Sequence, residues 1–503
     1  MPETFLQIHE KLNQIIWGTP MLTLLLGTGL VLTVWTKGFQ FTHFGYGMKR
    51  IFGNHKNKVL QESSSLSPFQ TLCTALSGTI GTGNISGIAY AITVGGPGAV
   101  FWMWIAAVLG MITGFAEKVL GMYYRNRNEK GEWCGGAMYY LKYGLGSKHG
   151  CKYFGAILAS LFALFTIFAS LGMGNLSQVA SIRESILSLT TFTGNFTQDS
   201  FIISVCIAVL TAFVTLGGLK RIAKVNERLV PFMACFYILG TLVIICMHAD
   251  RIIPAVYSIF RHAFSLEAAA GGVGGTMMRH AITCGFKRGV FSNEAGLGSS
   301  VIVHVASSEK EPVVQGFWGI FEVFFDTVIL CTMTALLILT SGIVDLNSGT
   351  ILPLPSESAS IGFMAQVNTE TGFSLATRAF KQSFGHAGGI FMTAALLLFA
   401  LATILGWNYY GTKAWEYLFG PRSVFLYKYV YIAVILLGCT MHVDLIISLS
   451  DTFNGLMAIP NLIGVLSLTG TFLKILWNYK QRYFTQSSCV KPMRNFFTDP
   501  DNH

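Results

Sequence analysis

The chain consists mainly of apolar runs separated by shorter polar connections. A run of about 20 apolar residues is long enough to cross a bilayer as a helix. The pattern predicts eleven such segments, at residues 20–36, 67–94, 98–120, 154–186, 200–217, 229–248, 274–305, 313–342, 386–415, 423–441 and 447–477. We therefore expect an all-α polytopic membrane protein.

The second segment is interrupted in its middle. The stretch 76–98 reads LSGTIGTGNISGIAYAITVGGPG, in which glycines surround a threonine and an asparagine. A helix that unwinds at mid-membrane can offer backbone groups to a ligand, and glycine permits that conformation. We interpret the stretch as half of a substrate and ion site. A competing interpretation is that these small residues allow close helix packing.

The seventh segment is also predicted to be interrupted, and it carries the polar residues SNE at 292–294. Its predicted breaks lie near Gly285 and Gly289, and again at Gly296 and Gly298. Segments two and seven begin two sets of five, at 67–248 and 274–477. Because five is odd, the second set starts from the opposite side of the membrane. Interrupted segments at matching positions of an inverted repeat indicate a transporter binding site.

Three regions lie outside these two sets. Residues 1–19 form an amphipathic segment that we expect to lie on the membrane surface, and 20–36 form one extra transmembrane helix. Residues 478–503 form a tail. The longest predicted outer loop, 343–385, is expected to form a cap or short helices.

Composition agrees with a membrane protein and charge fixes its predicted orientation. Only 12% of residues are charged, whereas a soluble domain has about 25%. Basic residues concentrate in alternate connections, so the positive-inside rule places the N-terminus outside and the C-terminus in the cytoplasm. Topology thereby explains the net charge of +10, and we expect the lipid bilayer but no nucleic acid as a partner. The ten cysteines lack paired spacing and indicate core residues.

A broken helix exposes two termini of opposite polarity. The N-terminus of a half-helix favours a carboxylate, and freed carbonyls at the other end favour Na⁺ or an ammonium group. A small zwitterion satisfies both, which makes an amino acid the simplest ligand. Thr79, Thr82 and Asn84 offer further side-chain hydrogen bonds.

Two more segments carry candidate ligand groups. Asn175 and Gln178 share a face of segment four, where amides either join helices or contact a ligand. In segment nine, Thr403 and Trp407 are one turn apart. Thr403 offers a hydroxyl oxygen to Na⁺. Trp407 either forms the wall of a small side-chain pocket or anchors the segment at the membrane interface.

Three acidic residues lie within apolar segments, where they are costly and usually face the bundle interior. Glu294 is a candidate partner of Lys287 or Arg288, and Glu322 and Asp326 are one turn apart in segment eight. Proton relay, ion ligation and structural roles all remain open for them. No catalytic constellation stands out, so we do not expect an enzyme. An ion channel and a non-transporting amino-acid sensor stay open as hypotheses beside a transporter.

Several motifs resemble one known family. They are GTIGTGNISGIAYAITVGGPGAVFWMWIAAVLGM (78–111), GGAMYYLKYGLG (135–146), GMGNLSQ (172–178), GGLKRIAKVNERLVPFMA (217–234), RGVFSNEAGLGSS (288–300) and ILGWNYYGTKAWEYLFG (404–420). Together they make the chain similar to the alanine or glycine:cation symporters, also called sodium:alanine symporters. The resemblance covers nearly the whole membrane core.

The resemblance implies a leucine-transporter-type 5+5 inverted-repeat fold preceded by one extra helix. It also implies uptake of alanine, glycine or a similar small neutral amino acid across the plasma (inner) membrane, coupled to Na⁺ or less often to H⁺. The substrate pocket that it implies is Thr82, Gly83, Asn84, Gln178, Phe291, Ser292, Asn293 and Trp407. We place the Na⁺ ion between the first break and segment nine, at Gly78, Gly81 and Thr403.

The chain departs from the family pattern in two places. Ala137 stands where the family usually has proline, which we expect to change only a loop. Ala402 precedes Thr403 where the family tends to have two consecutive hydroxyl residues. One hydroxyl is therefore left for the ion site, which bears on the strength and identity of the coupling ion.

Overall fold

The structure, a computed structural model, describes residues 13, 15–53, 65–148, 150–190, 192–264, 274–352, 372–438, 443–485 and 490–498. Over these residues the chain is mainly helical, with one small antiparallel pair of strands, β1 (Asn126–Arg127) and β2 (Trp133–Cys134). Most of the predicted surface segment 1–19, half of the predicted outer loop 343–385 and part of the tail 478–503 lie outside the described residues.

The α-helices are numbered in chain order. They are α1 (Thr19–Trp35), α2 (Phe39–Thr42), α3 (Phe44–Phe52), α4 (Pro68–Thr79), α5 (Ser86–Gly95), α6 (Gly98–Tyr123), α7 (Ala137–Tyr139), α8 (Lys152–Leu171), α9 (Ser177–Leu187), α10 (Phe196–Thr215), α11 (Leu219–Met247), α12 (Ile252–Ala263), α13 (Gly274–Asn293), α14 (Val301–His304), α15 (Pro312–Val323), α16 (Thr332–Thr340), α17 (Gly372–Phe384), α18 (His386–Phe419), α19 (Val424–Leu437), α20 (Val443–Ser467) and α21 (Thr469–Tyr483).

Short turns of other helical types join some of these elements. Turns of 3-10 helix lie at Thr82–Asn84, Ala249–Arg251 and Phe496–Thr498, and π-helical stretches lie at Tyr140–Leu145, Gly172–Leu176 and Phe324–Cys331. Two of the π-helical stretches continue directly into α9 and α16. Such wide turns are often found next to functional sites.

Six helical stretches in the described part of the chain are long and apolar enough to cross a membrane, and the bent pair α20–α21 forms a seventh. The shorter apolar helices α1 and α19 and the two interrupted helices α4–α5 and α13–α14 complete the correspondence with the predicted segments. Large apolar side chains such as Phe213 and Leu239 are more than half exposed, as expected for helices that face lipid. The number of complete crossings and the domain limits stay predictions.

The first interruption is confirmed. Helix α4 begins with a capping box in which Ser67 and Gln70 satisfy each other's backbone N–H groups at 3.0 Å. It ends at Thr79, and Ile80 and Gly81 are extended before the 3-10 turn and α5. The sequence therefore predicts both the helix and the place where it unwinds.

The second interruption is confirmed only in its later half. Helix α13 runs unbroken through Gly285 and Gly289, so the expected break near these two residues is wrong. A Cβ atom at Gly285 would lie 2.4 Å from the carbonyl oxygen of Ala99 in α6. These glycines serve the close packing of two helices, and the chain instead leaves the helix between Glu294 and Ser300.

Packing places α4 and α18 side by side at the centre of the molecule. Helix α18 contacts α4, α8, α9 and α11, whereas α6 packs against α13 and α15. Helix α18 is buried along most of its length, from Ala395 to Ala414 with few interruptions. The first break therefore meets the middle of a buried helix.

Candidate substrate and ion site

Helix α18 holds the unwound end of α4 through a series of polar contacts. The Tyr410 hydroxyl donates to the carbonyl of Ala75, and the Trp407 indole N–H donates to the carbonyl of Gly78, both at 3.3 Å. The Thr403 hydroxyl lies 3.3 Å from the carbonyl oxygen of Ile80. Successive turns of one helix therefore contact the end of α4, and two of the three carbonyls, those of Gly78 and Ile80, are released by the break.

Glycine is needed at the break because of space. A Cβ atom at Gly81 would lie 2.6 Å from Oγ1 of Thr403, and one at Gly78 would lie 2.7 Å from the Tyr410 hydroxyl. Both distances are too short for a real side chain. The backbone of Gly81 is extended, with φ −139°, a conformation open to any residue. The glycines thus bring backbone oxygens close to α18.

The oxygens around Thr403 fit a small hard cation. Its hydroxyl lies 3.0 Å from the carbonyl oxygen of Phe399 and 3.3 Å from that of Ile80. Hard cations prefer such carbonyl and hydroxyl oxygens. Of the three residues predicted for the ion, Gly81 and Thr403 meet at this contact. Gly78 lies one turn further along α18, beside Gly406 and Tyr410, and its carbonyl already accepts from Trp407.

A cavity of about 70 Å³, here called the central cavity, lies beside the first break. It is small compared with pockets for drug-sized ligands, which occupy about 300–1,000 Å³. The residues predicted for the site that line it are Gly78, Thr79, Gly81, Thr82, Gly83, Gln178, Phe291 and Thr403. The remaining lining residues are Ser86, Gly87, Met173, Ser177, Ser181, Arg288, Ser450 and Asp451.

The lining of the central cavity includes groups of both polarities. The first residues of α5 and the guanidinium-bearing side chain of Arg288 favour an anion. Oε1 of Gln178 and Oδ1 of Asp451, two other lining residues, are buried with no hydrogen-bond partner among the described residues. Unpartnered buried acceptors are costly unless a ligand completes them.

Gln178 and Asn175 play different parts. Nδ2 of Asn175 donates to the carbonyl of Tyr431 at 2.8 Å and so joins two helices. Nε2 of Gln178 donates to the carbonyl of Met173 at 3.1 Å, within the π-helical turn, which leaves its oxygen at the cavity. One amide of segment four thus joins helices, and the other faces the cavity.

Asn84, Ser292 and Asn293 do not line the central cavity. Nδ2 of Asn84 donates to Oδ1 of Asp326 at 2.7 Å, and the Ser292 hydroxyl donates to the other carboxylate oxygen at 2.8 Å. Asn293 donates to Thr327 at 3.1 Å. Oδ1 of Asn84 meanwhile accepts the N–H of Gly81 at 3.0 Å. This Asp326 network lies behind the break and holds its shape.

Trp407 is also outside the lining of the cavity. The Trp407 side chain is fully buried, and a Cβ atom at Gly174 would lie only 2.1 Å from the Cβ atom of Trp407. Complete burial between helices does not fit an anchor at the membrane interface. The side chain instead braces α18 against Gly78 and Gly174.

The intramembrane acids are held in separate contacts. Glu322 pairs with Lys118 at 3.1 Å and with Nε2 of His304 at 3.2 Å, so it is not part of the Asp326 network. Glu294 accepts from the Ser299 hydroxyl at 2.5 Å. Within the described part of the chain, Glu294 therefore does not form the expected pair with Lys287 or Arg288.

Two charged residues at the cavity are absent from the predicted site. Arg288 lies over the ring of Tyr90, with its guanidinium carbon 4.3 Å from the ring centroid, and Asp451 pairs with Lys287 at 3.4 Å. A charge within an apolar segment is itself a sign of function. Arg288 and Asp451 both fit this criterion. Because they are far apart in the sequence, the sequence does not show that they line the same cavity.

A helical membrane protein with two interrupted helices beside a small, bipolar cavity is typical of secondary transporters. The chain matches the family described as "Sodium:alanine symporter family" over residues 3–491. It therefore belongs to the sodium:alanine symporter family. It is an integral membrane transport protein and not an enzyme.

Individual relatives are similar over nearly their full length. The sodium/alanine symporter AgcS of Methanococcus maripaludis is 41% identical over 466 residues, which cover 93% of this chain and 95% of AgcS. The Bacillus subtilis protein named "Putative sodium/proton-dependent alanine carrier protein YrbD" is 33% identical over 477 residues, covering 94% and 92%.

A solved structure shows the same fold without close sequence similarity. The crystal structure of MhsT in complex with L-phenylalanine matches with a TM-score of 0.52 at 11% identity, covering 81% of this chain and 90% of that one. The predicted leucine-transporter-type fold is thereby confirmed.

Proposed function

We propose that the protein is a symporter that imports a small neutral amino acid, alanine or glycine, together with Na⁺. The observation that carries the proposal is the central cavity beside the first break, whose lining combines unpartnered acceptors with Arg288 and the start of α5. AgcS and YrbD, whose names include alanine and sodium, support the same assignment.

Na⁺ binds between the break and α18. The Thr403 hydroxyl supplies one oxygen, and carbonyls released by the unwinding at 78–81 supply others. A cation there holds the unwound end of α4 against α18. Because Ala402 brings no second hydroxyl, backbone carbonyls carry more of the coordination.

The amino acid lies beside the ion. Its carboxylate faces the first turn of α5 near Gly83 and Arg288, and its ammonium group faces Oε1 of Gln178. Thr79 and Thr82 line the same space and offer hydroxyl groups. Each end of the zwitterion thus meets the polarity that it needs.

Phe291 limits the size of the side chain. A Cβ atom at Gly83 would lie 3.7 Å from the Phe291 ring, so little space remains between the break and α13. The cavity of about 70 Å³ is far below the about 300–1,000 Å³ of pockets for drug-sized ligands, which favours a substrate whose side chain is a hydrogen atom or a methyl group. One extra or missing methylene group on a substrate changes its binding free energy by about 1–3 kcal/mol, which is enough to select small substrates.

Asn84, Ser292, Asn293 and Trp407 act from behind the cavity wall. Through Asn84 the Asp326 network fixes the N–H of Gly81, and Trp407 fixes the carbonyl of Gly78. Pre-organised contacts reduce the free energy lost when a ligand orders its site. These four residues are therefore positioning groups.

Ion and amino acid share one unwound segment, which couples them. An ion that orders the carbonyls near Gly81 also orders the start of α5, so each ligand raises the affinity of the other. Such coupling typically amounts to about 1–3 kcal/mol. The two five-helix sets then rearrange and expose the site to the other side, with the N-terminus outside and the C-terminus in the cytoplasm.

A proton is the second candidate for the coupling ion. The name of YrbD includes both sodium and proton, and the single hydroxyl at 402–403 weakens the case for a strong Na⁺ site. A sensor that binds without transport would share the same cavity.

Uptake into proteoliposomes tests the proposal. Labelled alanine and glycine are offered with an inward Na⁺ gradient, with an inward H⁺ gradient, and with neither. We expect accumulation only with the Na⁺ gradient. Accumulation driven by H⁺ alone would favour the proton as the coupling ion. Binding without accumulation would favour a sensor.

A pair of variants tests the place of the amino acid. Gln178→Leu removes an acceptor for the ammonium group and should weaken alanine binding about tenfold to hundredfold, because hydrogen bonds to charged groups contribute about 1.5–3 kcal/mol. Asn175→Leu, the matched control, should lower thermal stability but leave the affinity of the folded protein nearly unchanged.

A further inference from the structure

A second cavity lies at the N-terminal side of α1 and is far larger than the first. This N-terminal cavity of about 650 Å³ is lined by Trp17, Thr19 and Leu22 on one side and by His280, Cys284 and Lys287 of α13 on the other. From the positive-inside rule we expect it at the outer face of the membrane. It is therefore a candidate for the entrance to the central cavity.

One ion pair connects the linings of the two cavities. Lys287 lines the N-terminal cavity, Asp451 lines the central cavity, and Nζ of Lys287 lies 3.4 Å from Oδ2 of Asp451. The Asp451 side chain is 5% exposed and that of Lys287 is 25% exposed. The pair thus joins a lining residue of one cavity to a lining residue of the other.

Trp17 holds both members of the pair. Its indole N–H donates to the backbone carbonyl of Asp451 at 2.8 Å, and its ring lies 5.7 Å from Nζ of Lys287. Trp17 itself is buried, with 4% of its surface exposed. A cation above an aromatic ring and an indole hydrogen bond to the partner residue both favour the paired geometry.

The neighbouring turn of α20 is shaped to receive this tryptophan. Gly455 lies one turn after Asp451, and a Cβ atom there would come within 2.4 Å of Ile16 and 3.0 Å of Trp17 Nε1. Only a hydrogen atom fits at that position while Trp17 stays in place. The contact is thus specific to this chain segment and not incidental surface packing.

We propose that Trp17 is a positioning residue of the Lys287–Asp451 pair, and that residues 15–18, directly before α1, thereby control opening of the central cavity towards the N-terminal cavity. The inference rests on the proposed transport function. It gives the extra helix, which lies outside the two five-helix sets, a part in substrate entry.

The test measures how fast the central cavity becomes accessible. A Ser181→Cys substitution places a thiol in the lining of the central cavity, and a membrane-impermeant maleimide is added to the outside of intact cells. Cys284 is changed to serine in all variants because it lines the N-terminal cavity. Peptide mass spectrometry then reads modification at position 181 alone.

Trp17→Phe keeps an aromatic ring and removes the N–H. We expect the labelling rate to rise about threefold to tenfold, the range for loss of one neutral hydrogen bond. Gly455→Ala should displace Trp17 and give a similar rise. Trp35→Phe, the same chemical change at a half-exposed tryptophan at the end of α1, should leave the rate within about twofold.

Lys287→Met removes the ion pair itself and should raise the rate at least about tenfold, because the Asp451 charge loses its partner. Adding Trp17→Phe to that variant should have little further effect, since residues that act through one contact are not additive. A full additional increase in the double variant would mean that Trp17 acts elsewhere and would overturn the proposal.

Three further results would also overturn it. An unchanged rate in Trp17→Phe, an equal rise in Trp35→Phe, or labelling only from the inner surface would each contradict it. Labelling is measured without Na⁺ and amino acid, so it does not depend on the substrate. Failure of the uptake experiment with a positive labelling result therefore separates the proposed function from this inference.

Discussion

The two interrupted helices differ in the groups that their breaks present and in the surroundings that those groups face. The first break lines the central cavity with backbone and small side chains, from Gly78 to Gly83. None of the residues between Glu294 and Ser300 in the second break is part of the cavity lining, and among the described side chains of α13 the lining includes Arg288 and Phe291, both before the break. The breaks at matching positions of the inverted repeat therefore present different groups to their surroundings.

Backbone geometry shows the same difference. At the first break the glycines provide space, as the close approach of Thr403 to Gly81 shows. At the second break they provide conformation, since Gly296 and Gly298 have φ of 90° and 74°. Asn461 donates to the Gly296 carbonyl at 2.8 Å, so this carbonyl is satisfied within the protein. Residues of the first break line the central cavity, and those of the second break are absent from its described lining.

The largest expected effect is on stability, from Gly298→Ala in the second break. Its φ is positive and a Cβ atom would lie 2.6 Å from Oδ1 of Asn461. A left-handed conformation costs about 1–2 kcal/mol and overpacking about 1–3 kcal/mol, so we expect a loss of about 2–5 kcal/mol.

Thermal unfolding in detergent measures that loss. Gly27→Ala is the control, because Gly27 lies in helix α1 with nothing within 4 Å of a Cβ atom, and alanine there should be neutral or slightly stabilising. Equal melting temperatures for Gly298→Ala and the wild type would remove the distinction between the two breaks.

At the first break, Thr403→Val should affect the ion while the fold persists. Valine keeps the shape of threonine but removes the hydroxyl that faces Ile80. We expect the Na⁺ concentration for half-maximal uptake to rise about tenfold to hundredfold, whereas Thr403→Ser should stay close to the wild type. An unchanged Na⁺ dependence in the valine variant would place the ion elsewhere.

Asn84 connects the first break to the Asp326 network, and its substitution should have an intermediate effect on affinity and stability. Asn84→Ala leaves the Gly81 N–H without its acceptor and removes one donor from Asp326. We expect alanine affinity, measured by equilibrium binding, to fall about tenfold, and stability to fall by about 1–3 kcal/mol.

Combination with Asp326→Asn separates this network from a direct ligand contact. The loss in the double variant should be smaller than the sum of the two single losses, because both act through one network. Additive losses of affinity would indicate that Asn84 touches the substrate directly.

The smallest expected effect comes from Gly83→Ala. A Cβ atom there meets only Phe291 at 3.7 Å, an ordinary contact, so stability should change by less than about 0.5 kcal/mol. The added methyl group narrows the cavity. Competition uptake should show alanine losing affinity by less than about tenfold relative to glycine, and an equal loss for both would argue against Phe291 and Gly83 as the size limit.

Sequence reasoning succeeds where the signal is local. Glycines around Asn84 predict the first break, and the spacing of Thr403 and Trp407 places both on the face of α18 that meets it. It fails where one residue type has two uses. Gly285 and Gly289 suggest a break by their composition alone, although their missing side chains serve packing against α6.

The sequence by itself determined the membrane class, the interrupted helices, the family and half of the residues that line the central cavity. These follow from apolar length, from glycine placement and from the motifs, all of which are properties of neighbouring residues. Only the tertiary structure decided which polar residues face the cavity. Whether Asn84 reaches a ligand or Asp326, and whether Asp451 meets Lys287 and Trp17, depends on contacts between segments far apart in the chain.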